Sequence, residues 1–185
     1  MSIALHSLTT ATFVPFLRNL SALLDKAAAQ GHDGAALAQI RLAPDMLPLS
    51  MQVRFVCDQA RFGVARLVGE EPPAVAEADA DADADIAGFK ARIERTIAYV
   101  ESVAADRYQG AETRAIAFPL AAELSVEFTG EQFLRDFALP NFYFHLVTAY
   151  DILRSQGVQI GKADYLAHIG YALRGAPPAE GSGRQ

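Results

Sequence analysis

Residues 136–156, DFALPNFYFHLVTAYDILRSQ, form the stretch that decides the fold. It is the most aromatic run of the chain, and its apolar residues recur at the three- and four-residue steps of a helix. One face of this predicted helix carries Phe142, Leu146, Ala149 and Leu153. The adjoining face carries Asn141, His145 and Thr148, and Gly157 follows as a natural stop. The pattern predicts the last long helix of a bundle, with these polar groups turned towards the bundle interior.

Three more long helices are predicted upstream from the same periodicity, at residues 12–29, 48–68 and 86–103. Thr12 is a candidate cap for the first, which would place Pro15 in its first turn. A start near Thr9 would instead make Pro15 a kink. Gly69 is the expected stop of the second helix, and Asp85 is the expected cap of the third.

Between the third and the last long helix, the pattern changes from helical to alternating. Residues 114–120 and 122–128 alternate large and small side chains, which predicts a β-hairpin that turns near residues 119–122. A lone hairpin is marginal in water, so its apolar face must lie on the helices or on a partner subunit. Shorter helices are expected at residues 35–41 and 163–173.

Together these elements predict an all-α protein, an antiparallel four-helix bundle with a small β-hairpin before the last long helix. One domain is expected over residues 1–173, followed by a disordered tail at 174–185. Residues 70–85 hold seven acids and no base, in a run of Pro-Pro and alternating Ala-Asp that offers nothing to bury. We interpret this run as a solvated acidic linker loop; a lure for divalent cations or an acidic tail for a partner are the alternatives.

Charge and composition exclude several classes of function. The formal net charge is −6, but without the seven linker acids the rest of the chain has 15 acids against 16 bases. A nearly neutral body provides no basic groove for nucleic acid. No run approaches the roughly 18 apolar residues of a membrane span, and the start lacks the pattern of a secretory signal. The single cysteine favours a reducing compartment. We therefore expect a cytoplasmic protein without nucleic-acid or membrane partners.

His145 is the leading candidate for chemistry, because an imidazole on the inner face of a bundle can act as a base or a metal ligand. Asn141 lies one turn earlier on the same face, and Thr148 follows. Gln52, on a stripe of mixed polarity in the second long helix, is expected opposite them. A core histidine satisfied by a neighbour is the alternative interpretation. Cys57 falls at the border of a buried face, so we interpret it as a small buried side chain rather than a nucleophile.

Several segments resemble a known family. They are MSIALHS at the start, NLSALLDKA at 19–27, RLAPDMLPL at 41–49 and FALPNFYFHLVTAYDILRSQGVQIGKADYL at 137–166. These segments resemble the bacterial family catalogued as domain of unknown function 1993, which is related to the DinB and YfiT-like superfamily of four-helix bundles. The resemblance covers nearly the whole chain and implies that fold, commonly as a homodimer. The superfamily includes metal-dependent, thiol-using transferases.

The metal site of that superfamily uses one histidine from the second helix and an H-x-x-x-H pair from the fourth. In this sequence the pair falls on Asn141 and His145, and the helix-two position falls near Gln52. Carboxamides are poor ligands for transition ions, so the resemblance implies a degenerate site in which His145 is the one weak candidate ligand.

Three functions stay open on the sequence. The first is a small-molecule-binding bundle with a polar pocket between the second and fourth long helices and no cofactor. The second is a divalent-metal-dependent, thiol-using transferase with Zn or Ni. The third is a structural homodimer without a ligand.

Overall fold

The structure, a computed structural model, describes residues 4–71, 84–121 and 123–174. In chain order its helices are α1 (Leu5–Ala29), α2 (Gly34–Ala38), α3 (Leu49–Val68), α4 (Ile86–Ser102), α5 (Gly130–Gln132), α6 (Leu139–Ser155) and α7 (Lys162–Tyr165). Two strands, β1 (Ala115–Ala121) and β2 (Leu124–Thr129), lie between α4 and α5. The four long helices α1, α3, α4 and α6 pack around one core of buried apolar side chains. The predicted fold class, a helical bundle with a hairpin before the last long helix, is confirmed.

Two ion pairs show that α1 and α4 run in opposite directions. Arg18 Nη2 lies 2.8 Å from Glu101 Oε1, and Lys90 Nζ pairs with Asp25. A later residue of α1 therefore meets an earlier residue of α4. Both pairs are exposed, so they report the direction of the helices and contribute little to stability.

The second antiparallel pair, α3 and α6, positions the candidate site. Gln52 near the start of α3 meets His145, which lies about two turns into α6. Gly63, near the end of α3, faces Ala138, which lies just before α6. At Gly63 an added Cβ would stand 3.7 Å from that of Ala138, so the two backbones approach closely there. Side chains on facing stripes of α3 and α6 consequently meet in the bundle interior.

The first helix begins earlier than its sequence predicts. It starts at Leu5 rather than near Thr12 or Thr9, and Pro15 lies inside it. Thr9 is fully buried, and its Oγ1 lies 2.9 Å from the carbonyl oxygen of Leu5 and 3.2 Å from the hydroxyl of Tyr108. Tyr108 belongs to a distant part of the chain, and this contact holds the first turns of α1 in place.

The hairpin rests on the helical segment that follows it. The strands are antiparallel, with Ile116 opposite Phe128 and Phe118 opposite Val126. The ring of Phe118 lies 5.3 Å from that of Phe137, and the ring of Phe128 lies 5.9 Å from it. Of the two predicted positions for the apolar face, on the helices or on a partner, the structure therefore shows contacts with the helices.

The chain enters α6 through a wider turn than the sequence predicts. Residues Phe133–Ala138 form a π-helix that runs directly into α6. The start of α5 is capped reciprocally, because Thr129 Oγ1 accepts from Gln132 N (3.3 Å) and Gln132 Oε1 accepts from Thr129 N (2.9 Å). Pro140, in the first turn of α6, has no N–H to donate to a carbonyl four residues earlier. The π-helix lies immediately before this missing bond.

The predicted helix at residues 163–173 is divided in the structure. It forms α7 and a separate 3₁₀-helix, Ala167–Ala172. Asn19 Nδ2 on α1 donates to the carbonyl of Tyr165 at 2.8 Å. Ile169 N, the usual α-helical partner of that carbonyl, instead bonds the carbonyl three residues before it at 3.0 Å. The carbonyl of Tyr165 thus bonds Asn19 on α1, and the backbone bond from Ile169 N that would continue the α-helix is not formed.

The remaining predictions concern the short segments. The helix expected at 35–41 is shorter, as α2, and Asp33 caps it through a 2.9 Å bond from Ala35 N. Most of the acidic linker, residues 72–83, and the predicted tail from residue 175 onward lie outside the described residues. None of the helices within the described ranges combines the length and apolar character that crossing a membrane requires.

Candidate functional site

Gln52 and His145 meet between α3 and α6, as their sequence positions predict. His145 Nδ1 lies 2.8 Å from Gln52 Oε1. The amide is oriented by a second bond, because Gln52 Nε2 donates to the carbonyl of Leu47 at 3.0 Å. With the oxygen of Gln52 turned to the ring, His145 has to donate through Nδ1–H. In a neutral imidazole this leaves Nε2 unprotonated.

The surroundings of His145 favour the neutral ring. The side chain is half-buried, and its ring stacks on that of Phe55 at 4.9 Å between centroids and 22° between planes. The ring of Phe144 meets it edge-on at 5.2 Å. Burial lowers the pKa of His145 below its ordinary value, since desolvation disfavours the charged form. Nε2 has no hydrogen-bond partner in the part of the chain that the structure describes. The site therefore presents one basic nitrogen in a largely apolar setting.

Asn141 and Thr148 flank His145 on α6, but both side chains bond to their own helix. Asn141 Nδ2 donates to the carbonyl of Phe137 at 2.7 Å, and Thr148 Oγ1 donates to the carbonyl of Phe144 at 2.7 Å. Asn141 is half-buried and Thr148 is buried. The structure thus joins Gln52 to His145 directly and leaves the other two residues as neighbours without a bond to the pair.

The start of α3 explains how Gln52 reaches its position. Pro48 precedes the helix in an extended conformation, and its carbonyl accepts the backbone N–H of Gln52 at 3.0 Å. The side chain of Gln52, at 2% exposure, then folds back onto the carbonyl of Leu47. Phe55 follows one turn later on the same stripe, which brings its ring under His145. Phe55 is a site residue that the sequence analysis does not predict. Its spacing of three residues from Gln52, which places both on one stripe of α3, is the pattern that could have identified it.

The donor set does not fit the metal site that the sequence resemblance implies. Gln52 Oε1 accepts the hydrogen bond from His145 Nδ1–H and so lies on the side of the ring away from Nε2, and Gln52 Nε2 and Asn141 Nδ2 are N–H donors that do not bind metal ions. Within residues 4–71, 84–121 and 123–174, no group of three or more His, Cys, Asp or Glu side chains converges as metal ligands would. Among these residues, Nε2 of His145 is the only atom at this position that would bind a transition ion strongly. Gln52 acts as the residue that orients His145 and does not complete a ligand set.

Cys57 lies on α3, one turn after Val53, and is fully buried. Its interpretation as a small core side chain agrees with this burial. We therefore assign Cys57 to the core rather than to the site.

The four-helix bundle with its small hairpin defines a protein of the DinB-like class. The chain is similar to the crystal structure of a DinB family member protein from Shewanella denitrificans, with 35% sequence identity, a TM-score of 0.77 and coverage of 96% of each chain. It belongs to the family described as Domain of unknown function (DUF1993), whose model matches residues 5–166. No curated protein matches the chain.

Proposed function

We propose that the protein binds a small molecule at His145, in a polar pocket between α3 and α6, without a metal or other cofactor. The hydrogen bond between His145 and Gln52 carries this proposal. Because that bond occupies Nδ1–H, the unprotonated Nε2 is the group left to meet a ligand. It accepts a hydrogen bond from an O–H or N–H group. Asn141, one turn earlier, provides a further polar edge, while Thr148 and Gln52 form the buried wall.

The neighbouring rings indicate the kind of ligand that the pocket would take. Phe55 covers one side of the imidazole, and the ring of Phe144, which is 58% exposed, stands beside it. A ligand here would combine a hydrogen-bond donor with an apolar body. Since burial disfavours the imidazolium, the pocket would favour a neutral ligand over a carboxylate.

A pair of probes, one with an O–H donor and one in which a methyl group replaces that hydrogen, tests the proposal. We would titrate protein carrying ¹⁵N-labelled histidine with phenol, which has an O–H donor, and with anisole, which has the same ring without it. Phenol is expected to shift the Nε2 resonance of His145 saturably, and anisole is not. His145→Gln should abolish phenol binding while the melting temperature reports an intact fold. Equal shifts from phenol and anisole, or none from either, would refute the proposal and favour a structural dimer without a ligand.

A divalent-metal-dependent, thiol-using transferase is the second candidate, in which Gln52 would orient a metal-bound His145 and would not itself be a ligand. Metal-bound histidines usually donate their other N–H to a carbonyl or carboxylate oxygen, as His145 does to Gln52. Metal analysis after incubation with Zn²⁺ or Ni²⁺ separates the two candidates. Stoichiometric metal in the native protein that is lost in His145→Ala would replace our first proposal with this one.

We also propose that the protein works in the cytoplasm as a homodimer. A single cysteine, Cys57, cannot form a disulfide within the chain, and this composition suits a reducing compartment. For the dimer, the support is the exposed apolar surface of α6, where Phe144 and Val147 are 58% and 40% exposed. A second subunit placed over these two residues would also enclose the ring of His145.

A further inference from the structure

A second candidate site lies at the opposite end of α3 from the His145 pocket. A cavity of about 550 Å³ opens between the end of α3 and strand β1. This volume falls in the range of small-molecule sites, roughly 300–1,000 Å³. Arg66 lines the cavity, and it stands about 21 Å from Gln52 along the axis of α3, at a rise of about 1.5 Å per residue. The cavity is therefore separate from the site described above.

Arg66 is held in the cavity by aromatic rings rather than by acceptors. Its guanidinium carbon lies 4.3 Å from the ring centroid of Phe118 and 5.5 Å from that of Phe62. The side chain is half-buried, and among the described residues its N–H groups have no hydrogen bond and no ion pair. A guanidinium carries five N–H donors, so the donors of Arg66 are available to an acceptor on a ligand. Burial also lowers the pKa of Arg66, more than the nearby Glu71 raises it.

Arg114 reaches the same cavity from the start of β1. Its Nε is buried and has no hydrogen-bond partner among the described residues, and its Nη2 makes a long bond of 3.4 Å to the carbonyl of Gln109. The guanidinium crosses directly over Gly69, where an added Cβ would stand 2.2 Å from Nη1. Gly69 has a φ of 77°, so it both ends α3 and leaves the space that Arg114 occupies. Two guanidinium groups with unused donors thus line one cavity.

The helix end alone does not account for these two arginines. Cations near a helix C-terminus interact favourably with its dipole, and they can bond the last carbonyls. Neither Arg66 nor Arg114 makes such a bond to the last turn of α3 in the described chain. An attraction to the dipole also leaves the N–H donors unsatisfied.

The charges around the cavity favour an anion. Two acids, Glu70 and Glu71, stand at its edge. Glu70 Oε1 already pairs with Arg107 Nη2 at 2.5 Å, so Glu71 is left to face the two guanidinium groups. The walls beside them are apolar, from Phe62, Ile116 and Phe118. We propose that this cavity binds a small organic anion, a carboxylate or phosphate ester gripped by Arg66 and Arg114, whose apolar part lies against Phe62 and Phe118.

Binding of phenyl phosphate and benzoate to the full-length ¹⁵N-labelled protein tests this proposal at low salt. We expect saturable shifts of the Arg66 and Arg114 Nε–H signals, with little change at His145. Whichever of phenyl phosphate and benzoate binds more tightly shows whether the cavity prefers a phosphate ester or a carboxylate. Inorganic phosphate is the third probe. It should bind at least roughly tenfold more weakly, because it has no apolar part to pack against Phe62 and Phe118. Equal affinity for inorganic phosphate would overturn the proposal.

Matched variants separate a built site from general attraction to positive charge. Arg66→Met and Arg114→Met each keep an apolar stem and should weaken binding roughly tenfold or more. Arg18→Met removes the same charge from the exposed face of α1 and should leave the affinity unchanged. An equal loss in Arg18→Met, or no loss in either cavity variant, refutes the site. If one cavity variant does not fold, the other variant and the Nε–H signals of the native protein decide.

Discussion

Gly130 provides a stringent test of the packing between the hairpin region and the last helices. It is buried at the start of α5, and its φ is not positive, so its backbone conformation does not call for glycine. The reason for glycine is instead the close approach of another backbone. A Cβ at Gly130 would stand 1.8 Å from the carbonyl oxygen of Ala111 and 3.3 Å from Leu67 Cδ2. Gly130→Ala must therefore displace one backbone from the other.

The size of the effect follows from that contact. The distance of 1.8 Å is about 1.5 Å shorter than a comfortable non-bonded separation. Neither side yields easily, because Ala111 is fully buried and α5 is fixed by its reciprocal cap. We expect the upper end of the overpacking range, about 3 kcal/mol. Alanine recovers about 0.5–1 kcal/mol from its lower unfolded-state entropy. The net loss of stability should be about 2 kcal/mol, which lowers the melting temperature by roughly 4–8 °C.

Urea unfolding followed by far-UV circular dichroism measures this loss. Gly170→Ala is the matched control, because a Cβ at Gly170 meets nothing within 4 Å. That variant should stay within about 0.5 kcal/mol of the native protein. If Gly130→Ala and Gly170→Ala unfold at the same urea concentration, the backbones at Gly130 and Ala111 do not approach as closely as 1.8 Å implies.

Three further perturbations test other parts of the chain. Asp58→Ala should lower the free energy of unfolding in urea by about 3–5 kcal/mol, because it removes a buried carboxylate that neutralises its arginine neighbours, among them the buried Arg92. Asp25→Ala, at an exposed position, is the control and should cost less than about 1 kcal/mol; an equally small loss in Asp58→Ala would contradict the prediction. Because burial lowers the pKa of His145, the unfolded chain protonates this ring at a higher pH than the folded protein does, so the free energy of unfolding should fall as the pH drops below about 6.5. The change of this free energy with pH should be smaller in His145→Gln, and equal slopes in the two proteins would contradict the prediction. Phe144→Glu should convert the proposed dimer to a monomer in light scattering, and an unchanged mass would exclude this face of α6 as the interface.

Helix ends that depend on one local residue are predictable from sequence. Asp85 accepts from the backbone N–H of Gly88 at 2.9 Å, and Gly69 ends α3 in a left-handed conformation. Both residues act through bonds within their own turn, so a sequence pattern contains the whole cause. The bounds of α3 and the start of α4 accordingly agree with their predictions.

Ends that depend on distant residues are not predictable in this way. The early start of α1 rests on the contact of Thr9 with Tyr108, which lies almost a hundred residues further along the chain. The break after Tyr165 depends on Asn19, which takes the carbonyl that a continuous helix would use. Periodicity identifies the buried face of a helix, but it does not identify the partner that stabilises its last turn.

The same distinction applies to the candidate site. The stripe positions of Gln52 and His145 predict that these two side chains meet, and they do. The tautomer of the ring could not be predicted, because it depends on the carbonyl of Leu47 holding the amide in one orientation. Nor could the bond of Asn141 to Phe137, which turns a residue expected to face the site back to its own helix.

Gln52 is also the residue that decides between the proposed functions. The amide oxygen of Gln52 accepts the hydrogen bond from Nδ1–H of His145 and therefore lies on the Nδ1 side of the ring. A metal ion bound at Nε2, on the other side of the ring, would be out of reach of this oxygen. A histidine in place of Gln52, as the resemblance implies for related bundles, could instead offer a ring nitrogen to the metal ion. The exchange of an imidazole for an amide therefore turns a ligand into an orienting group, and it leaves a single basic nitrogen whose natural complement is a hydrogen-bond donor rather than a cation.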